Sequence, residues 1–189
     1  MVVLRRYLKK HTMSQANTEI HLDLGCGNNK KAKYYIGVDV DKYNDNDIQL
    51  DLRFNKLPFE DNSVDGVYAS HFLEHLSFEE NIFLFNEVYR VLKPDKIFEI
   101  VVPHGQSYAG IVDLSHKTFW TEDTFGYFTP ENRYYYSWFY DDPKTKERIP
   151  VINKWLVLRN DQTPPHEYTT RGWVEVKLRE IHALLQKTI

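Results

Sequence analysis

Between His71 and His75 the chain reads His-Phe-Leu-Glu-His, two imidazoles and a carboxylate within one short run. On an α-helix the two histidines would stand one turn apart and could ligate zinc, with Glu74 as the base that activates a bound water. A second group suits different chemistry. Gly25 and Gly27 flank Cys26, and Asp39 closes the apolar run Tyr35-Ile-Gly-Val-Asp. Glycines let a ligand approach the backbone, and a carboxylate ending a buried parallel strand can accept from both hydroxyls of a ribose. Farther on, His104, Asp113 and His116 could serve a substrate pocket, although loop and helix-cap hydrogen bonds use the same side chains.

Those residues need a scaffold, and short apolar β-branched runs supply one. Strands are expected at Ile20–Leu24, Tyr35–Val40, Ile48–Asp51, Val64–Ser70 and Ile97–Val102. Ser77-Phe-Glu-Glu80 is a capping box that opens a helix, Ile82, Phe85, Val88 and Leu92 give it an apolar face, and Lys93-Pro94 ends it. Beyond Pro103, Tyr134–Tyr140 and Val151–Leu158 flank a turn-like Asp141-Asp-Pro-Lys144 and suggest a hairpin. The aromatic residues Tyr127, Phe128, Tyr134, Tyr135, Tyr136, Trp138, Phe139 and Tyr140 fit hairpin packing or a pocket lining. Trp173–Leu178 alternates like a half-buried strand closing the sheet, and Asp161–Thr170 reads as a loop.

At 189 residues the chain suits one domain with a single core. A net charge of −3 argues against a broad nucleic-acid footprint, so no nucleic-acid partner is expected. No apolar run approaches a bilayer span, so no membrane partner is expected either. Cys26 is the only cysteine; it reads as a small apolar filler beneath the glycine loop and points to a reducing, cytoplasmic setting. Residues 1–19 carry Arg5, Arg6, Lys9 and Lys10 opposite Leu4 and Leu8, the pattern of a basic amphipathic helix, with Met13 as an alternative start.

Three segments share one resemblance. Asp23-Leu-Gly-Cys-Gly27, Leu57-Pro-Phe-Glu-Asp…Leu73-Glu-His-Leu76 and Glu87-Val-Tyr-Arg-Val-Leu-Lys-Pro94 resemble, in family order, the signature segments of class I S-adenosylmethionine (SAM) dependent methyltransferases. The resemblance implies an α/β, Rossmann-like doubly wound, mostly parallel sheet with a C-terminal antiparallel section. Residues 20–103 would be its cofactor half and 104–189 its substrate half. It further implies that Gly25, Cys26 and Gly27 pass the methionine part of SAM, that Asp23 holds its ammonium, and that Asp39 and Val40 meet the ribose. Asp51 and Leu52 would meet the adenine, and Ser70 and His71 would stand beside the methionine group. Lys30 occupies the place of a dinucleotide binder's third glycine. Only eleven residues separate Gly27 from Asp39, so the first crossover helix must be shortened. The expected activity is methyl transfer to a small-molecule acceptor such as a sugar-containing or biosynthetic intermediate, with His71 and His116 as candidate bases and no metal. A SAM-binding module without catalysis and a zinc hydrolase are the alternatives.

Overall fold

The computed structural model describes residues 19–42, 46–129, 139–141, 144–150, 155–162, 166–170, 174–178 and 180–187. The N-terminal helix expected over residues 1–19 lies outside them except for Glu19, as do Tyr134, Tyr135, Tyr136 and Trp138.

Five strands follow the sequence expectation: β1 (His21–Leu24), β2 (Ile36–Asp39), β3 (Ile48–Gln49), β4 (Val64–Ser70) and β5 (Leu92–Pro103). They pair in parallel, and with β8 (Trp155–Gln162) and β11 (Glu180–Lys187) they form a seven-stranded sheet of order β3-β2-β1-β4-β5-β11-β8. β11 runs antiparallel to both neighbours. The chain turns from one side of β1 to the other between β2 and β4, so the crevice beyond the carboxyl ends of these strands is where such a sheet binds ligands.

The one long helix among the described residues, α1 (Phe78–Val91), connects β4 to β5. Ser77 caps it: the Glu80 amide donates to the Ser77 hydroxyl at 3.2 Å and the Ser77 amide donates to the Glu80 carboxylate at 2.7 Å. α1 lays Ile82, Phe85 and Val88 on a sheet face made of Leu22, Val67, Phe98, Ile100 and Ile181, all buried. Phe85 stacks on Phe128 with centroids 3.7 Å apart and meets Phe98 edge-on at 5.4 Å. No helix forms between Gly25 and Tyr35, which confirms the shortened first crossover.

The second half departs from expectation. The hairpin that forms pairs β6 (Phe139–Asp141) with β7 (Arg148–Pro150), while Trp155–Gln162 joins the main sheet as β8. The supposed loop contains β9 (His166–Thr170), which pairs with β10 (Val174–Leu178) in a separate ribbon. The strand that closes the sheet beside β5 is β11. Its Ile181, Leu184 and Leu185 have helical spacing, but Ile181, Ala183 and Leu185 are the buried set, the alternation of a strand. Asp51 falls just beyond β3 rather than ending it. No described helix is long and apolar enough to cross a membrane.

Candidate active site

β1 and β2 end side by side, and their last residues build the glycine turn. Gly25 has φ +67°, its amide donates to the Val38 carbonyl at 2.8 Å, and a Cβ placed on it would come within 2.4 Å of the Phe72 ring. Glycine is required there for both conformation and close approach. Gly27, at φ +50°, donates its amide to Asp39 Oδ2 at 2.9 Å, and the Asp41 amide donates to Asp39 Oδ1 at 3.0 Å. Asp39 thus ties the turn to the end of β2 with two backbone bonds. Each carboxylate oxygen has further lone pairs for a ligand.

A cleft of ≈ 380 Å³ opens over this turn, lined by Gly25, Asp39, Val40, Asp41, Leu50, Asp51, Leu52, Arg53, Phe72, His75 and Leu76. Of the expected cofactor residues, Gly25, Asp39, Val40, Asp51 and Leu52 are in its wall, whereas Asp23, Cys26, Gly27, Ser70 and His71 are not among the lining residues. Asp23 lies beneath the turn, buried, and accepts the Lys31 amide at 2.7 Å. Burial pushes its carboxyl up to about 6, against the pull of that amide and of the Lys31 and Lys30 charges. Burial likewise pushes the Cys26 thiol up to about 12, which fits an inert filler better than a nucleophile.

Asp51 sits in a fork. Arg53 Nε and Nη2 donate to its two oxygens at 2.9 and 2.8 Å, and this partner holds its carboxyl below the usual range. Phe72 and Leu76 join the wall because the chain makes one 3₁₀ turn, Leu73–His75, on leaving β4. Sequence reasoning assigned neither a ligand contact, and likewise missed Arg53 and His75.

The single 3₁₀ turn also dissolves the helical zinc geometry, since His71 precedes it at φ +49°, outside the turn and half-exposed. His75 instead meets His116, with ring centroids 4.9 Å apart. His104 is buried in a bridge to Trp120 and accepts the Gln106 amide at 3.1 Å, which assigns it to the loop fold. Asp113 caps its own turn, accepting from the Ser115 amide and hydroxyl at 2.8 and 2.6 Å.

The cleft suits SAM on its own chemistry: a turn without a side chain at Gly25, a carboxylate at Asp39 for ribose hydroxyls, and apolar walls at Val40, Leu50, Leu52 and Leu76 for a base. Residues 22–100 match the family model described as a methyltransferase domain. Over these residues the chain carries a methyltransferase domain, in the fold of SAM-dependent methyltransferases. The methyltransferase shares its fold with the YcgJ protein of Bacillus subtilis, at 15% identity and TM-score 0.56 over 100% of this chain and 99% of that one. It is similar at 17% identity and TM-score 0.52 to a SAM-dependent methyltransferase from Archaeoglobus fulgidus, over 98% and 94% of the two chains. A SAM-dependent methyltransferase from Methanosarcina mazei aligns at 20% identity and TM-score 0.51, over 96% and 97%. A search of curated proteins finds no match.

Proposed function

We propose that this methyltransferase modifies a small polar molecule, with the whole chain acting as one domain in which residues 104–189 supply the acceptor side. The observation that carries the reading is the meeting of His75, at the cleft wall, with His116 from the loop after β5. That junction offers an acceptor a few close polar groups rather than a broad surface, and the net charge of −3 gives no footing for a phosphate backbone.

Gly25, Asp39, Val40, Asp51 and Leu52 would hold the cofactor, and bound SAM supplies an activated methyl on a sulfonium. The protein's share is largely positioning, since methyl transfer gains most from fixed alignment of the reacting groups. Asp39 anchors the cofactor side by fixing the turn it faces. Asp23 supports that turn from beneath through the Lys31 amide. His71, half-exposed just beyond the carboxyl end of β4, is the candidate imidazole to take a proton from a hydroxyl acceptor. His116 is only 7% exposed, which suits binding better than proton exchange with solvent.

Incubation of the protein and methyl-labelled SAM with a cell extract tests the proposal. We expect label in the low-molecular-mass fraction; label confined to protein or RNA overturns the small-molecule reading, and SAM binding without turnover or transfer of label identifies a SAM-binding module.

A further inference from the structure

The sequence near His71–His75 supplies no evident third metal ligand, but the fold brings one from the loop after β5. The Lys117 and Thr118 amides donate to the Glu74 carbonyl at 2.7 and 3.1 Å, which seats the preceding residue, His116, beside the 3₁₀ turn. One ligand atom each from Glu74, His75 and His116 then lies within 4.8 Å of the others.

Glu74 points to an occupant. Its side chain is 1% exposed, and among the described residues neither carboxylate oxygen has a hydrogen-bond partner. The contact to His71 Nδ1, at 3.4 Å, does not meet hydrogen-bond geometry. A buried carboxylate lacking donors is unfavourable, and a cation at its oxygens relieves it.

The hydrogen bonds of both imidazoles set a tautomer that can ligate. His116 Nδ1 is 2.9 Å from the Gly110 carbonyl, which can only accept, so Nδ1 carries the hydrogen and Nε2 the lone pair. Ser115 gives its one hydroxyl hydrogen to Asp113 Oδ1 at 2.6 Å, so it must accept at 3.1 Å from His75 Nδ1. His75 therefore also presents an Nε2 lone pair. Hydrogen bonds that fix the far nitrogen in this way are the usual support of metal-binding histidines.

We propose that Glu74, His75 and His116 form a binding site for one divalent first-row transition ion. Two imidazoles and a carboxylate suit zinc, manganese, iron or cobalt better than the oxygen-only preference of calcium or magnesium, and three protein ligands leave coordination positions open. Ligands on one such ion stand roughly 3 to 4 Å apart, so loading draws the His116 loop inward by about an ångström. Because His75 also borders the cofactor cleft, the ion stands at its edge and takes an acceptor oxygen in an open position. That role rests on the methyltransferase reading; the metal site does not.

The test strips the full chain with chelator and titrates it with Zn²⁺, Mn²⁺ and Co²⁺, reading heat and, for cobalt, visible absorption. One equivalent of at least one ion should bind, at least about tenfold more weakly in His116→Ala and in Glu74→Gln and unchanged in His21→Gln, which lies at the opposite end of β1. Absence of stoichiometric binding to the wild type, or equal affinity in His116→Ala, overturns the site; should Glu74→Gln fail to fold, His116→Ala decides. A SAM thermal shift on the same samples separates the two readings: metal binding without any SAM response refutes the cofactor assignment and leaves the metal site standing.

Discussion

Asp39 fixes the Gly27 turn and faces the cleft with the same carboxylate, so a change there reaches both structure and ligand. Asp39→Ala should weaken SAM binding by about 1 to 3 kcal/mol in calorimetry, since it removes a charged acceptor from two hydroxyls. Unchanged affinity in the folded variant would move the ribose contact to Asp41, which also lines the cleft. Asp23 bears on pH instead. Its folded pKa, about 6, is above its unfolded value, so between the two the native state holds the extra proton and stability falls as pH rises. Above about 6 the ionised group costs roughly 3 kcal/mol relative to its neutral form. Asp23→Asn keeps an acceptor for the Lys31 amide without the charge, so it should melt higher than wild type at pH 7.5, with the gap closing toward pH 5. A gap that ignores pH would show that the shift has another origin.

Two motif segments far apart in sequence are one bracket in space. Glu87, buried in α1, accepts the Leu57 amide at 3.0 Å, while Arg90 donates to Glu87 at 3.0 and 2.9 Å, to the Phe59 and Leu57 carbonyls at 2.9 and 3.0 Å, and to Asp61 at 2.8 Å. The bracket holds the loop from β3 to β4 against α1. Arg90→Met would leave the Glu87 charge buried and three backbone or carboxylate acceptors unpaired, and should lower stability by about 2 to 4 kcal/mol in denaturant melts with little effect on SAM contacts. The sequence disclosed the elements of this half because each has a local cause: β-branched runs between turn residues, a capping box, and a proline after the helix. It concealed β11 because Leu184 completes a helical spacing while burial follows Ile181, Ala183 and Leu185, a choice made by pairing with β5. The wall of the cleft was half legible for the same reason. Asp39 ends β2 and Gly25 directly follows β1, whereas Phe72 and His75 enter at the start and end of a 3₁₀ turn whose register the sequence does not announce.

At the scale of the molecule, the same sheet edge must choose between nucleotide cofactors, and the short first crossover makes the choice. A dinucleotide's pyrophosphate is held by the amides at the start of the helix that follows the glycine turn. Here the chain from Gly27 to Tyr35 forms turns and bends with no helix, and Lys30, where a third glycine would stand, pairs with Asp47 at 2.8 Å. No helix start faces the cleft from that side. SAM carries no pyrophosphate and needs none; in the proposed placement its ribose would meet Asp39 and its base the apolar wall from Val40 to Leu76. A ligand bound only by the native state stabilises it by about 2.7 kcal/mol at a hundredfold excess over its Kd. For a chain of this size that is a rise in Tm of roughly 5 to 10 °C. SAM and its demethylated product should each produce such a rise, and NAD should leave Tm unchanged at the same concentration. A shift with NAD comparable to that with SAM would mean that the turn between Gly27 and Tyr35 reorganises around a pyrophosphate, and the exclusion argued from its missing helix would fail.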